Sequence, residues 1–187
     1  MNTLSLNGVG PREPPSIRRL REFSGSYDKG RGFMWQAAWF AVQNLVFSAW
    51  WLPGRLRPII LRCFGAQVGD GVFIRHRVRI LWPWKLSLGN DCWLGEDAWL
   101  LNLEDITIGH DVCISQAAFL CTGSHDPNDP AFGYRNAPIV IQPGAWVAAR
   151  AVILPGVTVH ADVTVPAGSM VSRDATATGS TGPRPAT

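Results

Sequence analysis

At 187 residues the chain has room for one domain with a proper core. Its formal net charge of +3 is mild, and no basic groove interleaved with aromatics argues for nucleic acid. The four cysteines, Cys63, Cys92, Cys113 and Cys121, form no C-x-x-C pair, so they read as reduced thiols of a cytoplasmic protein and not as a disulfide framework.

The first 32 residues are polar, rich in Pro, Gly and Arg, and show no secretory signal. They carry little periodicity, which predicts an irregular arm over residues 1–32. Basic residues crowd ahead of Val68: Arg12, Arg18, Arg19, Arg21, Lys29, Arg31, Arg55, Arg57 and Arg62 face only Glu13, Glu22 and Asp28. That imbalance suits an anionic surface such as a membrane leaflet, with plainly solvated arginines as the alternative.

From Phe33 to Leu52 the chain is very apolar. Its polar residues Gln36, Gln43, Asn44 and Ser48 gather on one side at about 100° per residue, which predicts a helix that is apolar over most of its surface. The length would just span a bilayer, but the polar side would be costly in lipid. Two placements stay open: the inner membrane interface with arginines on both flanks, or the end of the domain that follows. Pro53 and Gly54 end this helix. Leu56 to Phe64 reads as a second short helix, with Arg55, Arg57 and Arg62 turned to water or phosphate. The apolar helical segment is thus bounded at residues 33–65.

Residues 66–174 are organised as a repeat of six. An aliphatic residue comes first and a small or turn-forming residue second, as in Leu88-Gly-Asn-Asp-Cys-Trp and Leu94-Gly-Glu-Asp-Ala-Trp. The leading positions are Val68, Ile74, Ile80 and Leu86, then Leu88, Leu94, Leu100 and Ile106, then Ile108, Ile114 and Leu120. Two-residue slips separate these blocks and are expected to widen a corner. The phase resumes at Ile141 and holds through Val147, Ile153, Val159, Val165 and Val171. Six residues make one short strand and one turn, and three sixes make a triangular coil, so the period predicts a parallel β-helix. The leading residue points inward, and a small second residue such as Gly69, Gly89, Gly95 or Gly109 fits the tight corner. Between Thr122 and Pro138 the pattern breaks, and a long loop extruded from a regular coil is generally functional. From residue 175 to 187 the composition cannot build a core and predicts a disordered tail.

Among the histidines, His76, His110 and His160 fall at solvent-facing corners and read as surface residues. His125 differs, standing where the regular coil gives way to the loop. There it can project beside the prism as a general base, with Asp126 adjacent to orient the loop or touch the acceptor.

The block Trp99-Leu-Leu-Asn-Leu-Glu-Asp-Ile-Thr-Ile-Gly, the Cys-Thr-Gly-Ser-His-Asp loop, and the run Ala145-Trp-Val-Ala-Ala-Arg-Ala-Val-Ile-Leu-Pro-Gly-Val-Thr-Val resemble the hexapeptide-repeat O-acetyltransferases. The likeness is strongest to the colanic acid biosynthesis group, including the leading segment Leu61-Arg-Cys-Phe-Gly-Ala. It covers roughly residues 35–174.

The resemblance implies an all-β fold, a left-handed parallel β-helix with an N-terminal helical segment. It implies a homotrimer with acetyl-CoA in the groove between neighbouring prisms and no metal. His125 matches the catalytic histidine that deprotonates a sugar hydroxyl, while backbone N–H donors steady the oxyanion. Asn102 matches an acceptor-positioning asparagine. Trp146 and Ala149 match positions along the pantetheine arm, Ala167 a backbone contact near its far end, and Ser172 and Arg173 a pair near the nucleotide. Ala148 and Pro166 stand at corners where the family usually has Gly, which could narrow the groove. No extended C-terminal element supplies further phosphate-binding arginines.

The expected activity is acetyl transfer from acetyl-CoA to a sugar hydroxyl of an exopolysaccharide or related glycan. An N-acyltransferase acting on an amino sugar nucleotide is the runner-up, and a noncatalytic β-helix scaffold a further alternative. A γ-class carbonic anhydrase needs three zinc-binding histidines, two close in sequence, and His110 and His125 are too far apart to be that pair.

Overall fold

A computed structural model describes residues 18–176. Its body is a parallel β-helix of five coils whose strands form three five-stranded sheets. Sheet A stacks β1 (Gln67–Val68), β4 (Leu86–Leu88), β7 (Ile106–Ile108), β10 (Ile139–Ile141) and β13 (Thr158–Val159). Sheet B stacks β2 (Phe73–Ile74), β5 (Trp93–Leu94), β8 (Cys113–Ile114), β11 (Trp146–Val147) and β14 (Thr164–Val165). Sheet C stacks β3 (Arg79–Ile80), β6 (Trp99–Leu101), β9 (Phe119–Cys121), β12 (Val152–Ile153) and β15 (Met170–Val171).

The period of six produces this register directly. Equivalent residues pair across coils, so that Phe73 lies opposite Trp93, Trp93 opposite Cys113, and Cys113 opposite Trp146. The leading aliphatics stack inside, with Ile74, Leu94, Ile114, Val147 and Val165 all at 0% exposure. Each such burial stabilises the column by about 1.5–3 kcal/mol. The second position is tight because the next coil lies against it. A Cβ on Gly89 would sit 2.5 Å from the backbone nitrogen of His110, and one on Gly95 would sit 2.6 Å from that of Gln116.

The two-residue slips have a definite place. Both extend a sheet A strand, so Leu86 and Leu88 are both buried, as are Ile106 and Ile108. The extra length and the long loop all leave from one corner, that between sheets C and A. The turns at the other two corners share a feature that the sequence reading did not use, a left-handed residue at the fourth position of the six. Asp91, Asp97, Asp111 and Asp162 adopt φ of 55°, 61°, 56° and 58° there. Asp is one of the few non-glycine residues that tolerates this region.

The apolar segment forms α1 (Phe33–Val42), continued by a π-helical turn Gln43–Phe47, and then α2 (Arg57–Cys63). The expected helix to Leu52 therefore stops at Phe47, where the chain folds back to bury Phe47 and Leu52. Its inner side caps the first coil. Trp39 Nε1 donates to the Ile80 carbonyl at 2.9 Å, and Gln43 Oε1 accepts the Ile80 N–H at 2.7 Å. Of the two placements left open, packing on the column is observed. Arg57 does not face water: it is 2% exposed and donates to the carbonyls of Phe47, Ile74 and Ala49. Among the described residues no helix is long and apolar enough to cross a membrane.

Residues 18–32 lack regular structure apart from a 3-10 turn at Leu20–Glu22, but they pack over the loop and first corner; residues 1–17 lie outside the described part. The column runs past 174, because Ala175 is fully buried and bridges to Val159, with its N–H and carbonyl bonded to Thr158 and His160. Of the expected tail 175–187, residues 177–187 lie outside the described residues.

Candidate active site

The C–A corner is where the candidate base is held. The loop leaves β9 at Thr122, which is fully buried: its hydroxyl donates to the Leu101 carbonyl and accepts the Glu104 N–H. Beyond it the loop folds as a short antiparallel flap, pairing His125 with Tyr134 and bonding Arg135 N–H to Ser124 and Ala137 N–H to Thr122. Asp129 closes the tip by accepting the N–H groups of Ala131 and Gly133.

His125 is clamped within this flap. Its ring stacks on Phe132 at 4.2 Å and 6°, lies against Tyr134 at 4.9 Å, and meets the edge of Phe23 at 5.3 Å. Nδ1 is 2.7 Å from the Phe132 carbonyl oxygen. A carbonyl can only accept, so Nδ1 carries the hydrogen, and Nε2 keeps a lone pair with which to take a proton. Phe132 reaches this position with φ of 54°, an uncommon conformation for a bulky residue. Strain of this kind persists where the surroundings over-determine it, and is a common mark of functional sites.

The N-terminal arm completes the clamp. Phe23 and Tyr27 meet Tyr134 edge-on, Arg18 lies over Phe132, and Arg19 N–H bonds to the Pro130 carbonyl. Tyr27 also accepts the Trp82 indole N–H at 3.0 Å. Sequence reasoning missed these residues; two aromatics in an otherwise polar arm were the available signal. Beside His125 a hollow of ≈ 310 Å³ is lined by Tyr27, Leu101, Leu103 and Tyr134.

Asn102, expected to contact the acceptor, is buried at the corner between the first two coils. It is 0% exposed, its Oδ1 accepts the Trp82 N–H, and its amide donates to the carbonyls of Trp82 and Lys85. Its amide oxygen and nitrogen are both used in tying the second coil's corner to the first. Asp126 is half-buried and its carboxylate accepts the Asn128 N–H, which shapes the flap.

The residues expected along the cofactor lie elsewhere. Trp146 stands on the outer face of sheet B, 49% exposed, donating its indole N–H to Ser115 Oγ at 2.8 Å. Ala149 and Ala167 share a groove with Ala117, Arg150 and Gly168 at the B–C corner. Ala148 is buried at that corner and does not stand in the groove. Ser172 and Arg173 are exposed beyond β15. One chain therefore brings Ala149 and Ala167 together but keeps them apart from His125, since the face of sheet C separates the two corners. Among the described residues no three His, Cys, Asp or Glu side chains converge as metal ligands.

Known proteins resemble this chain in sequence and in shape. It is 44% identical over 136 residues to Escherichia coli (strain K12) WcaF, which carries the name of a colanic acid biosynthesis acetyltransferase; the match covers 71% of this chain and 74% of WcaF. No family model matches. The hexapeptide-repeat acetyltransferase VCA0836 of Vibrio cholerae, solved with acetyl coenzyme A, superposes with a TM-score of 0.71 at 21% identity, covering 83% of this chain and 87% of that one. A galactoside acetyltransferase solved with coenzyme A gives 0.68 at 21% identity, covering 76% and 72%.

Proposed function

This chain belongs to the hexapeptide-repeat acetyltransferases, and on that premise we propose that it transfers the acetyl group of acetyl-CoA to a sugar hydroxyl of an exopolysaccharide or related glycan. The observation that carries the reading is the clamped imidazole of His125, with Nδ1 bonded to a carbonyl and Nε2 left as the free base. Nε2 takes the hydroxyl proton as that oxygen bonds to the acetyl carbon; the carbon–sulfur bond breaks, and the proton leaves with the thiol. The alanines and glycine lining the B–C groove leave room for a narrow extended arm, and Trp146 stands half-exposed on the adjoining face of sheet B. Acetyl-CoA bound there supplies the activated acetyl group.

The separation of His125 from that groove supports a homotrimer, in which the flap of one column closes on the groove of the next. The outward face of sheet C, with Trp99 stacked on Phe119 and Met170 66% exposed, is apolar enough to pack against a second copy. Peripheral contact with the inner face of the cell membrane is supported by the outer side of the helical segment. Phe33, Met34, Phe40, Leu45, Trp50 and Trp51 are exposed there, and no acidic residue occurs between Lys29 and Gly69.

A thiol-release assay with acetyl-CoA over a panel of saccharides, followed by mass spectrometry, tests the reaction. The expected product gains one acetyl group that mild base removes, as an ester requires. A base-stable product would transfer the reading to an amine acceptor, and no saccharide-dependent release would end it.

A further inference from the structure

On the outer face of sheet B, beside α2, the first three coils border a cavity of ≈ 870 Å³. Arg55, Arg62 and Arg75 line it, and Phe73 and Trp93 give it an apolar wall. The acids at its edge are already engaged: Asp70 pairs with Arg62 at 3.4 Å, and Glu96 pairs with His76 at 3.2 Å and with Arg77. Arg55 and Arg75 make no ion pair with any described carboxylate.

A fourth guanidinium lies close behind. Arg57 is buried with carbonyl oxygens and no carboxylate for partners, so its charge is solvated but not neutralised. Burial, and then the nearby charge of Arg75, lowers its pKa from the usual arginine value. Guanidinium groups left without counterions in a cavity draw in an anion, and their planar fork suits phosphate oxygens. The indole of Trp93, 62% exposed, is a plate on which a ring can stack beside that anion. The far rim includes Ser115, the residue bonded to Trp146, so the cavity adjoins the expected acetyl-CoA track.

We propose that this cavity holds the phosphate or diphosphate of a phosphate-linked saccharide acceptor, with Arg55 and Arg75 as its contacts and Trp93 against the adjoining ring. The assignment rests on the acetyl-transfer reading, because it takes the anion to be part of the acceptor. Two carriers share this chemistry, a nucleotide and a polyprenyl lipid. The phosphates of CoA are the competing occupant.

Calorimetric titration of the CoA-saturated protein with sodium pyrophosphate separates these. The expected result is a site in the wild type that weakens at least about 10-fold in the Arg55→Gln/Arg75→Gln double variant, as loss of charge-assisted hydrogen bonds requires. In turnover assays the double variant raises the KM for a diphosphate-linked saccharide about 10–100-fold. Its KM for acetyl-CoA and its turnover of the matching neutral saccharide stay at wild-type values. Comparing nucleotide- and polyprenyl-linked forms of one saccharide then identifies the carrier, and preference for either supports the site. Absence of pyrophosphate binding to the CoA-saturated wild type, equal binding by the double variant, or a change confined to the acetyl-CoA KM overturns it. If the wild type acetylates no saccharide at all, the transfer reading falls while the calorimetry still decides the cavity.

Discussion

The A–B corner and the C–A corner carry the chain around the same column, coil after coil, by opposite means. At the A–B corner, Gly69, Gly89 and Gly109 stand where a side chain would strike the next coil, and Asp91 and Asp111 take left-handed turns at a fixed offset. At the C–A corner the turns are unequal, and the third opens into the flap that holds His125. Backbone stacking cannot fix turns of unequal length, so side chains do it instead: the Asn102 amide, the Thr122 hydroxyl, and the aromatic contacts of Phe23 and Tyr27. Regularity leaves the first corner no freedom to vary, while the second corner can carry the candidate base because its neighbours are tied individually.

This contrast can be broken in graded steps. The largest effect is expected at the flap, where His125→Ala should lower turnover about 10²–10⁴-fold while the β-helix itself stays folded. Unaltered turnover would remove the imidazole from its role. Next, Gly89→Val at the regular corner should cost about 3 kcal/mol or more in denaturant unfolding, because its Cβ meets backbone that cannot step aside. Tolerance of that change would mean the coils are less tightly stacked than described. Smallest is Asn102→Ala, which should cost about 1–3 kcal/mol by leaving the Trp82 N–H without its acceptor and taking one donor from each of two carbonyls. Were the amide instead to touch the acceptor, its KM would move while stability held.

The column was open to sequence reasoning because one chemical demand recurs at a fixed interval. An inward aliphatic every six residues is a periodic signal, and Ile141 to Val171 repeats it without a slip. His125 stood out for the converse reason, as a titratable side chain where the period fails. What stayed hidden depends on contacts distant in sequence. Asn102 reads as an ordinary polar residue until the first coil's Trp82 and Lys85 are seen to bond it. Arg57 reads as solvated until three carbonyls converge on it, and Ala175 as tail until Val159 lies beside it. The αL aspartates were visible in the sequence, but as turn chemistry and not as part of the hydrophobic period. The stop of the first helix at Phe47 follows from packing on the column and has no local marker.

The helical lid over the first coil has a consequence for life at high concentration. A bare rung offers a row of unpaired N–H and C=O groups, which is a template for runaway polymerisation. Trp39, Gln43 and Arg57 occupy the Ile80 and Ile74 groups at that end, which hinders backbone pairing by a second column along sheets B and C. Removal of the segment should therefore turn a discrete enzyme into a fibre-former.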